Sequence, residues 1–356
     1  MGTPYPPTRR DDSMKAAVFH DPGHIEMNAQ ATVPQLAPGE VLIRVEACGI
    51  CGSDLHMYRT DAHRKQLVRV DSEGLEIPGH EFSGVISAVG EGVVGYSVGE
   101  RVVGVGMGGM ADLVPVPVNP FQLVRIPENV SFAAAATTEP LADGLQMIRK
   151  ANLKPGDNVV VFGVGIIGLG VIQALKAQAI DIGKIVAIDV SDERLAMALE
   201  IGATDTINPR HQDLLSTAKA ICGFLPITYP EIEPTDISVV FECAGYLKHM
   251  IGPAPLESAL RMARPGDGRV ICFGAYEDRL NIDMMPMITK QISLLGSNGY
   301  AAEELELALQ LMSEGKLDRE RLISHQFALA DVSQAFEVQG RGQAIKVILL
   351  PNRETI

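Results

Sequence analysis

The sequence predicts an α/β protein in two parts, a mostly β region and a doubly wound parallel sheet. Three observations carry this expectation. At 356 residues the chain is longer than one compact core usually fills. From Lys15 to about Leu141 it shows short β-forming runs cut by glycine and proline. From Asn152 the texture changes to strand, glycine turn, long helix and strand again.

In chain order, the first part offers β runs at Ala16–Phe19, Val41–Ala47, Gly84–Val89, Arg101–Val105 and Leu113–Val116. In the second, Val159–Phe162 leads into Gly163–Gly168 and a helix through about Ala179. Ile185–Asp189 and a helix from Asp192 to Glu200 follow. Further strands are expected at Ile237–Glu242, Arg269–Phe273 and Ile292–Leu295, the order of a doubly wound sheet. A helix from about Ala302 and strands Gln326–Ala328 and Lys346–Leu350 close the chain. The stretch Pro226–Pro234 reads as a surface loop. Residues 1–13, with Pro4, Pro6, Pro7 and the charges Arg9 to Asp12, read as a disordered tail.

A formal charge of −14 works against affinity for nucleic acid phosphates or anionic lipid. No apolar run is long enough to cross a bilayer, so no membrane partner is expected. Five cysteines, an odd number, do not make a disulfide framework, and Arg9-Arg10 lacks the apolar run of an export signal. A cytoplasmic protein acting on a small molecule is the expectation.

Gly163-Val164-Gly165-Ile166-Ile167-Gly168 is a G-x-G-x-x-G between an apolar strand and a helix. Such glycines let the backbone approach a pyrophosphate at a helix N-terminus. Asp189 ends the next strand at about the twenty-residue spacing of the dinucleotide fingerprint. A carboxylate there accepts hydrogen bonds from the ribose hydroxyls and repels a 2′-phosphate. Val190 and Ser191 supply no arginine to welcome one, so NAD is favoured over NADP.

The first part holds the string from Cys48 to His56, then Gly79-His80-Glu81, then Glu139-Pro140-Leu141. One thiolate, one imidazole and a carboxylate suit a catalytic zinc with an open position. Cys48 and Cys51 also form a C-x-x-C. A structural zinc site would need a second such pair, which is absent, and a redox pair should follow a βαβ start, which this does not. His80 alone would be an ordinary packed histidine, and its neighbours Gly79 and Glu81 raise it.

Gly49-Ile50-Cys51-Gly52-Ser53-Asp54-Leu55-His56, Gly79-His80-Glu81, Val98-Gly99-Glu100-Arg101-Val102, Glu139-Pro140-Leu141 and the nucleotide fingerprint together resemble the zinc-containing medium-chain dehydrogenases. The likeness is greatest to the sorbitol, butanediol and threonine dehydrogenase branch and runs from Met14 to Leu350. It implies a Rossmann NAD-binding domain over residues 142–301 and a GroES-like catalytic domain over 14–141 and 302–356. It also implies that Cys51 and His80 hold zinc, with Glu81 as a ligand or exchangeable carboxylate and Glu139 bound directly or through water. Asp54 would orient the imidazole, and Ser53 and His56 would relay the alcohol proton by way of the cofactor ribose. Cys243, Ala244, Phe273, Gly274 and Ser297 match segments that line the cofactor, and Lys346 would reach a phosphate. The activity implied is interconversion of a secondary alcohol or polyol with its ketone, in a homodimer or homotetramer.

The sequence departs from this family in two places. No cysteine lies between Val103 and Val114, where many members carry a four-cysteine lobe, so one zinc per chain and no structural zinc is expected. Between His56 and Gly79 stand Arg59, His63, Arg64, Lys65 and Arg69, which suit a substrate bearing an anionic group, or a solvated loop. Met284-Met285-Pro286-Met287 reads as core filling. The rival readings are a zinc-free quinone or enoyl reductase on the same fold, which lacks the Cys51, His80 and Glu139 set, and a non-catalytic nucleotide-binding protein.

Overall fold

The structure, a computed structural model, describes residues 13–225, 235–246, 250, 252–342 and 344–352. The expected tail, apart from Ser13, and the loop Pro226–Pro234 lie outside the described residues. The chain divides into two compact units, one of residues 1–138 and 323–356 and one of 139–322.

In the first unit β1 (Ser13–Asp21) and β2 (His24–Thr32) form an antiparallel hairpin. A seven-stranded sheet follows, built from β3 (Glu40–Gly49), β6 (Glu81–Val89), β7 (Arg101–Val105), β8 (Leu113–Pro117), β9 (Leu123–Arg125), β16 (Ile323–Ala328) and β17 (Lys346–Leu350). Its order is β16-β17-β3-β6-β7-β9, with β8 also paired to β3. Val41, Ile43 and Val45 alternate inward along β3, the period-two pattern of a strand with one face on a core. That core joins Phe82 and Ile86 of β6 to Val347 and Leu349 of β17. Two short strands, β4 (Val68–Val70) and β5 (Glu76–Pro78), make a separate antiparallel pair. The expected run Gly84–Val89 starts earlier, at Glu81, so β6 begins one residue after His80.

In the second unit β10 (Val159–Phe162), β11 (Ile185–Ile188), β12 (Asp205–Ile207), β13 (Val239–Glu242), β14 (Arg269–Cys272) and β15 (Ser293–Gly296) form a wholly parallel sheet in the order β12-β11-β10-β13-β14-β15. The chain starts in the middle, works to one edge and returns to the other, which is the doubly wound arrangement. Val159, Val160 and Val161 are fully buried, as in a parallel strand covered on both faces.

The second unit runs through Leu322, so the helix Ala302–Ser313, expected with the first part of the chain, belongs to the unit of the parallel sheet. Its Leu305 and Ala308 are buried, and its Glu304 accepts a hydrogen bond from Arg149 at 2.7 Å. The methionine run also differs: Met284 and Met285 are exposed, while Met287 packs against the core of this unit.

Candidate active site

Cys51 caps the helix Gly52–Thr60 directly after β3 ends. Asp54 Oδ2 accepts the backbone N–H of Cys51 at 2.9 Å, which ties down the helix start. The same helix carries Ser53 and His56 three residues apart, so both fall on one helical face. Gly79 and β6 bring in His80 and Glu81 from the adjacent strand. The donor atoms of Cys51, His80 and Glu81 all lie within 4.8 Å of one another. Asp54 Oδ1 stands 3.7 Å from His80 Nδ1. Asp54 is wholly buried, and burial raises its pKa against the pull of His80 and the Cys51 amide.

Glu81 is also buried, and its Oε2 accepts a hydrogen bond from Lys346 Nζ, which further donates to Ile50 O at 3.0 Å. Glu81 Oε1 is buried without a hydrogen-bond partner among the described residues. Lys346, expected on a phosphate, is instead spent inside the first unit, with no exposed surface. Nothing in the sequence joins Lys346 to Glu81; only the placement of β17 beside β3 does so.

The donor set fits zinc: a thiolate candidate, an imidazole and a carboxylate with an unsatisfied buried oxygen. One other group among the described residues could hold a metal, namely His20, His24 and Glu26. It lies on the β1–β2 hairpin, with His24 and Glu26 exposed and no sulfur ligand. Cys48 does not join Cys51. Its thiol points into the core, where burial pushes its pKa well above the ordinary thiol value, and no disulfide joins any of the five cysteines. Glu139 stands in the second unit, in the first turn of the helix Thr138–Ala151. There its carboxylate and that of Asp143 add to burial in raising the Tyr300 phenol pKa.

The nucleotide fingerprint sits between β10 and the helix Ile166–Ala177, with Gly165 as the cap residue and Ile166 and Ile167 opening the helix. Gly163 has φ +87°, and a Cβ there would come within 2.6 Å of the Ala244 backbone nitrogen. A Cβ on Gly168 would sit 2.0 Å from the Gly163 carbonyl oxygen, so this glycine permits helix-on-strand packing. At Gly165 a Cβ would meet nothing within 4 Å, which leaves open space at the helix N-terminus.

Asp189 follows β11 and accepts hydrogen bonds from Val164 N at 2.8 Å and Ser191 N at 2.9 Å. A cavity of about 440 Å³ opens here, bordered by Gly163, Asp189, Val190 and Ala244. The sequence reading missed one neighbour: Arg194, a helical turn beyond Ser191, brings Nη1 to 4.0 Å from Asp189 Oδ2. Cys243, Phe273 and Ser297 each follow the last residue of a strand, on the carboxyl edge where a doubly wound sheet binds its ligand. Phe273 and Gly274 both donate to Glu242 O, at 2.9 and 3.1 Å. Glu242 Oε1 in turn accepts from Ala244 N and Gly245 N.

Residues 167–314 match the zinc-binding dehydrogenase family and residues 37–128 the alcohol dehydrogenase GroES-like domain. Sorbitol dehydrogenase of Bacillus subtilis (strain 168) is 31% identical, over 96% of this chain and 98% of its own. L-idonate 5-dehydrogenase of Vitis vinifera is 31% identical, over 89% of each chain. The crystal structure of 2R,3R-butanediol dehydrogenase from Bacillus subtilis superposes with a TM-score of 0.79 at 29% identity, covering 96% of this chain and 100% of that one. The chain belongs to the zinc-containing medium-chain alcohol dehydrogenase family, and is an oxidoreductase acting on CH–OH groups. Its relatives include the sorbitol, butanediol and threonine dehydrogenases.

Proposed function

We propose that this chain is a zinc-dependent, NAD-linked dehydrogenase that interconverts a secondary alcohol or polyol and its ketone, with one catalytic zinc per chain and no structural zinc. The observation that carries the reading is the convergence of Cys51, His80 and Glu81 donor atoms within 4.8 Å, beside a buried Asp54 that faces His80 Nδ1. Cys51 and His80 would hold the metal, with Glu81 supplying the carboxylate. Bound there, zinc would supply Lewis acidity toward an alcohol oxygen and a nicotinamide cofactor would supply the hydride acceptor.

The remaining work belongs to the protein's own groups. Asp54 Oδ1 faces His80 Nδ1 at 3.7 Å, and its charge would favour the tautomer protonated at Nδ1, leaving Nε2 for the metal. Ser53 takes the hydroxyl proton and His56 passes it on to solvent; in the ketone direction the same two groups return it. Asp189 accepts the adenosine ribose hydroxyls, and Cys243, Ala244, Phe273, Gly274 and Ser297 line the cofactor. Since Arg194 lies beside Asp189, the preference for NAD over NADP is set by the carboxylate against a nearby cation.

The test is a screen of secondary alcohols, diols and sugar alcohols with NAD and NADP, before and after metal removal. The expected result is reduction of NAD in preference to NADP, lost on chelation and restored by zinc. Full activity after chelation, or activity confined to NADPH and quinones, would overturn the reading.

A further inference from the structure

The turn end of the β1–β2 hairpin carries three metal-ligating side chains that the proposed reaction does not use. His24 and Glu26 stand two residues apart in β2 and so share one face of the strand, while Ile25 between them is buried in the core. The register slips between Phe19 and Asp21, which sets His20 and Asp21 opposite the single residue His24. His20 thereby joins the same cluster. Its Nε2 lies 3.2 Å from Glu26 Oε1, and His24 Nε2 lies 4.0 Å from Glu26 Oε2. The two imidazoles stack, with ring centroids 4.6 Å apart.

The backbone beneath these side chains is fastened in place. Gly23 closes the turn after Pro22 at φ +80°, a conformation that glycine adopts freely. Its amide donates to the carbonyl of Tyr58, in the helix Gly52–Thr60, at 2.7 Å, and Tyr58 Oη donates back to Gly23 O at 3.0 Å. Arg64 Nη2 donates to His20 O at 2.8 Å, and the rest of its guanidinium is held by Glu76 and Asp61. Arg64, expected near an anionic substrate, is thus spent on the hairpin, and Arg59 donates to the Gly340 carbonyl. A turn held this firmly spends little ordering entropy when its side chains bind a ligand.

A cross-strand pair of one histidine and one glutamate is an ordinary surface contact and needs no ion. Here a second imidazole turns to the same carboxylate, and one donor atom from each of the three residues lies within 4.8 Å of the other two. Ligands held at about 2.0–2.2 Å from one tetrahedral ion stand about 3.3–3.6 Å apart, so small side-chain rotations bring all three onto one centre. The site is open to solvent: the side chains of His20, His24 and Glu26 are 35%, 57% and 59% exposed. A cavity of about 210 Å³, bordered by His20, Asp21, Arg64 and Glu76, opens beside it.

We propose that His20, His24 and Glu26 form a second metal site, exchangeable and facing solvent, for a divalent cation that favours imidazole. Nickel, copper and zinc fit this donor set, whereas magnesium and calcium prefer oxygen ligands. With no thiolate and no enclosure, the site is expected to release its ion far more readily than the Cys51 site. All three ligands lie on the hairpin, and none is among the residues proposed for the chemistry.

The test uses purified protein without a histidine tag, dialysed to remove exchangeable ions, with bound zinc measured before and after calorimetric titration with nickel chloride. Uptake of a single Ni2+ per chain without release of zinc is expected, and no uptake of Mg2+. His24→Ala and Glu26→Gln should each weaken nickel binding by at least about 10–100-fold, the cost of losing an outer-shell partner alone. His211→Ala, which removes a histidine likewise exposed beside a carboxylate, should leave it unchanged. Circular dichroism establishes that the variants are folded. Electron paramagnetic resonance with substoichiometric Cu2+ should show two coupled imidazole nitrogens in wild type and fewer in His24→Ala. No nickel uptake, uptake only in exchange for zinc, or equal affinity in wild type, His24→Ala and Glu26→Gln overturns the site. None of these readouts is alcohol oxidation, so the site and the proposed function stand or fall separately.

Discussion

Lys346 and Glu81 form an ion pair with neither side chain exposed, at the edge of the proposed metal site. A pair of this kind is costly to break from one side, because the remaining charge stays buried without its partner. Lys346→Met is therefore expected to destabilise the protein by about 3–5 kcal/mol in urea denaturation. Glu81→Gln placed in the same chain should recover most of that loss. A single variant as stable as wild type would mean that Glu81 finds its counter-charge elsewhere. At this scale the sequence was informative about ligand types and silent about partners. Gly79-His80-Glu81 was legible as a string, whereas Lys346 lies far along the chain and meets Glu81 only through sheet pairing. Arg194 is hidden for a related reason: it lies one helical turn past Ser191 and comes beside Asp189 only through the start of that helix.

The nucleotide-binding turn offers a contrast between two glycines of one motif. A Cβ on Gly168 collides with the Gly163 carbonyl, so Gly168→Ala should cost about 1–3 kcal/mol, as overpacking does, and weaken NAD binding as well. At Gly165 the added methyl enters open space, so Gly165→Ala should leave unfolding within about 0.5 kcal/mol of wild type while weakening NAD binding. Paired denaturation and NAD titration check this, and unchanged NAD affinity in Gly165→Ala would contradict a pyrophosphate at that helix end. Elsewhere in the same unit, the hydrogen bond from Arg264 holds Asp267 down to about 2 from an ordinary 3.8. Stability from this pair is present above the unfolded value and is lost as pH falls through the folded one. The stability difference between wild type and Asp267→Asn should therefore shrink as denaturation is repeated from pH 5 toward pH 2. A difference constant over that window would contradict the pairing.

The strands easiest to read were those buried on both faces, such as Val159–Phe162, where an apolar run between turn residues has few other meanings. The strand His24–Thr32 was not read, because its polar residues and irregular burial hide the alternation. The short pair Val68–Val70 and Glu76–Pro78 was also missed, and its second strand runs into Gly79 and His80.

The division of the whole molecule was legible in outline, since glycine-cut β runs gave way to strand-turn-helix texture near Asn152. Where the chain returns to its first part was not legible. The helix Ala302–Ser313 is amphipathic in a way that suits either unit, and its placement depends on contacts such as Arg149 with Glu304 that no local pattern encodes. The two units thus divide the residues proposed for the chemistry, with Cys51, Ser53, Asp54, His56, His80 and Glu81 in one and the glycine-rich turn, Asp189 and Glu139 in the other. The most direct test of the account is the zinc content of the purified wild-type protein beside that of Cys51→Ser, with folding of both followed by circular dichroism. The account predicts a single tightly held zinc per wild-type chain and its loss from a folded Cys51→Ser chain. Equal zinc in both proteins, or a fully active wild type without zinc, would contradict it.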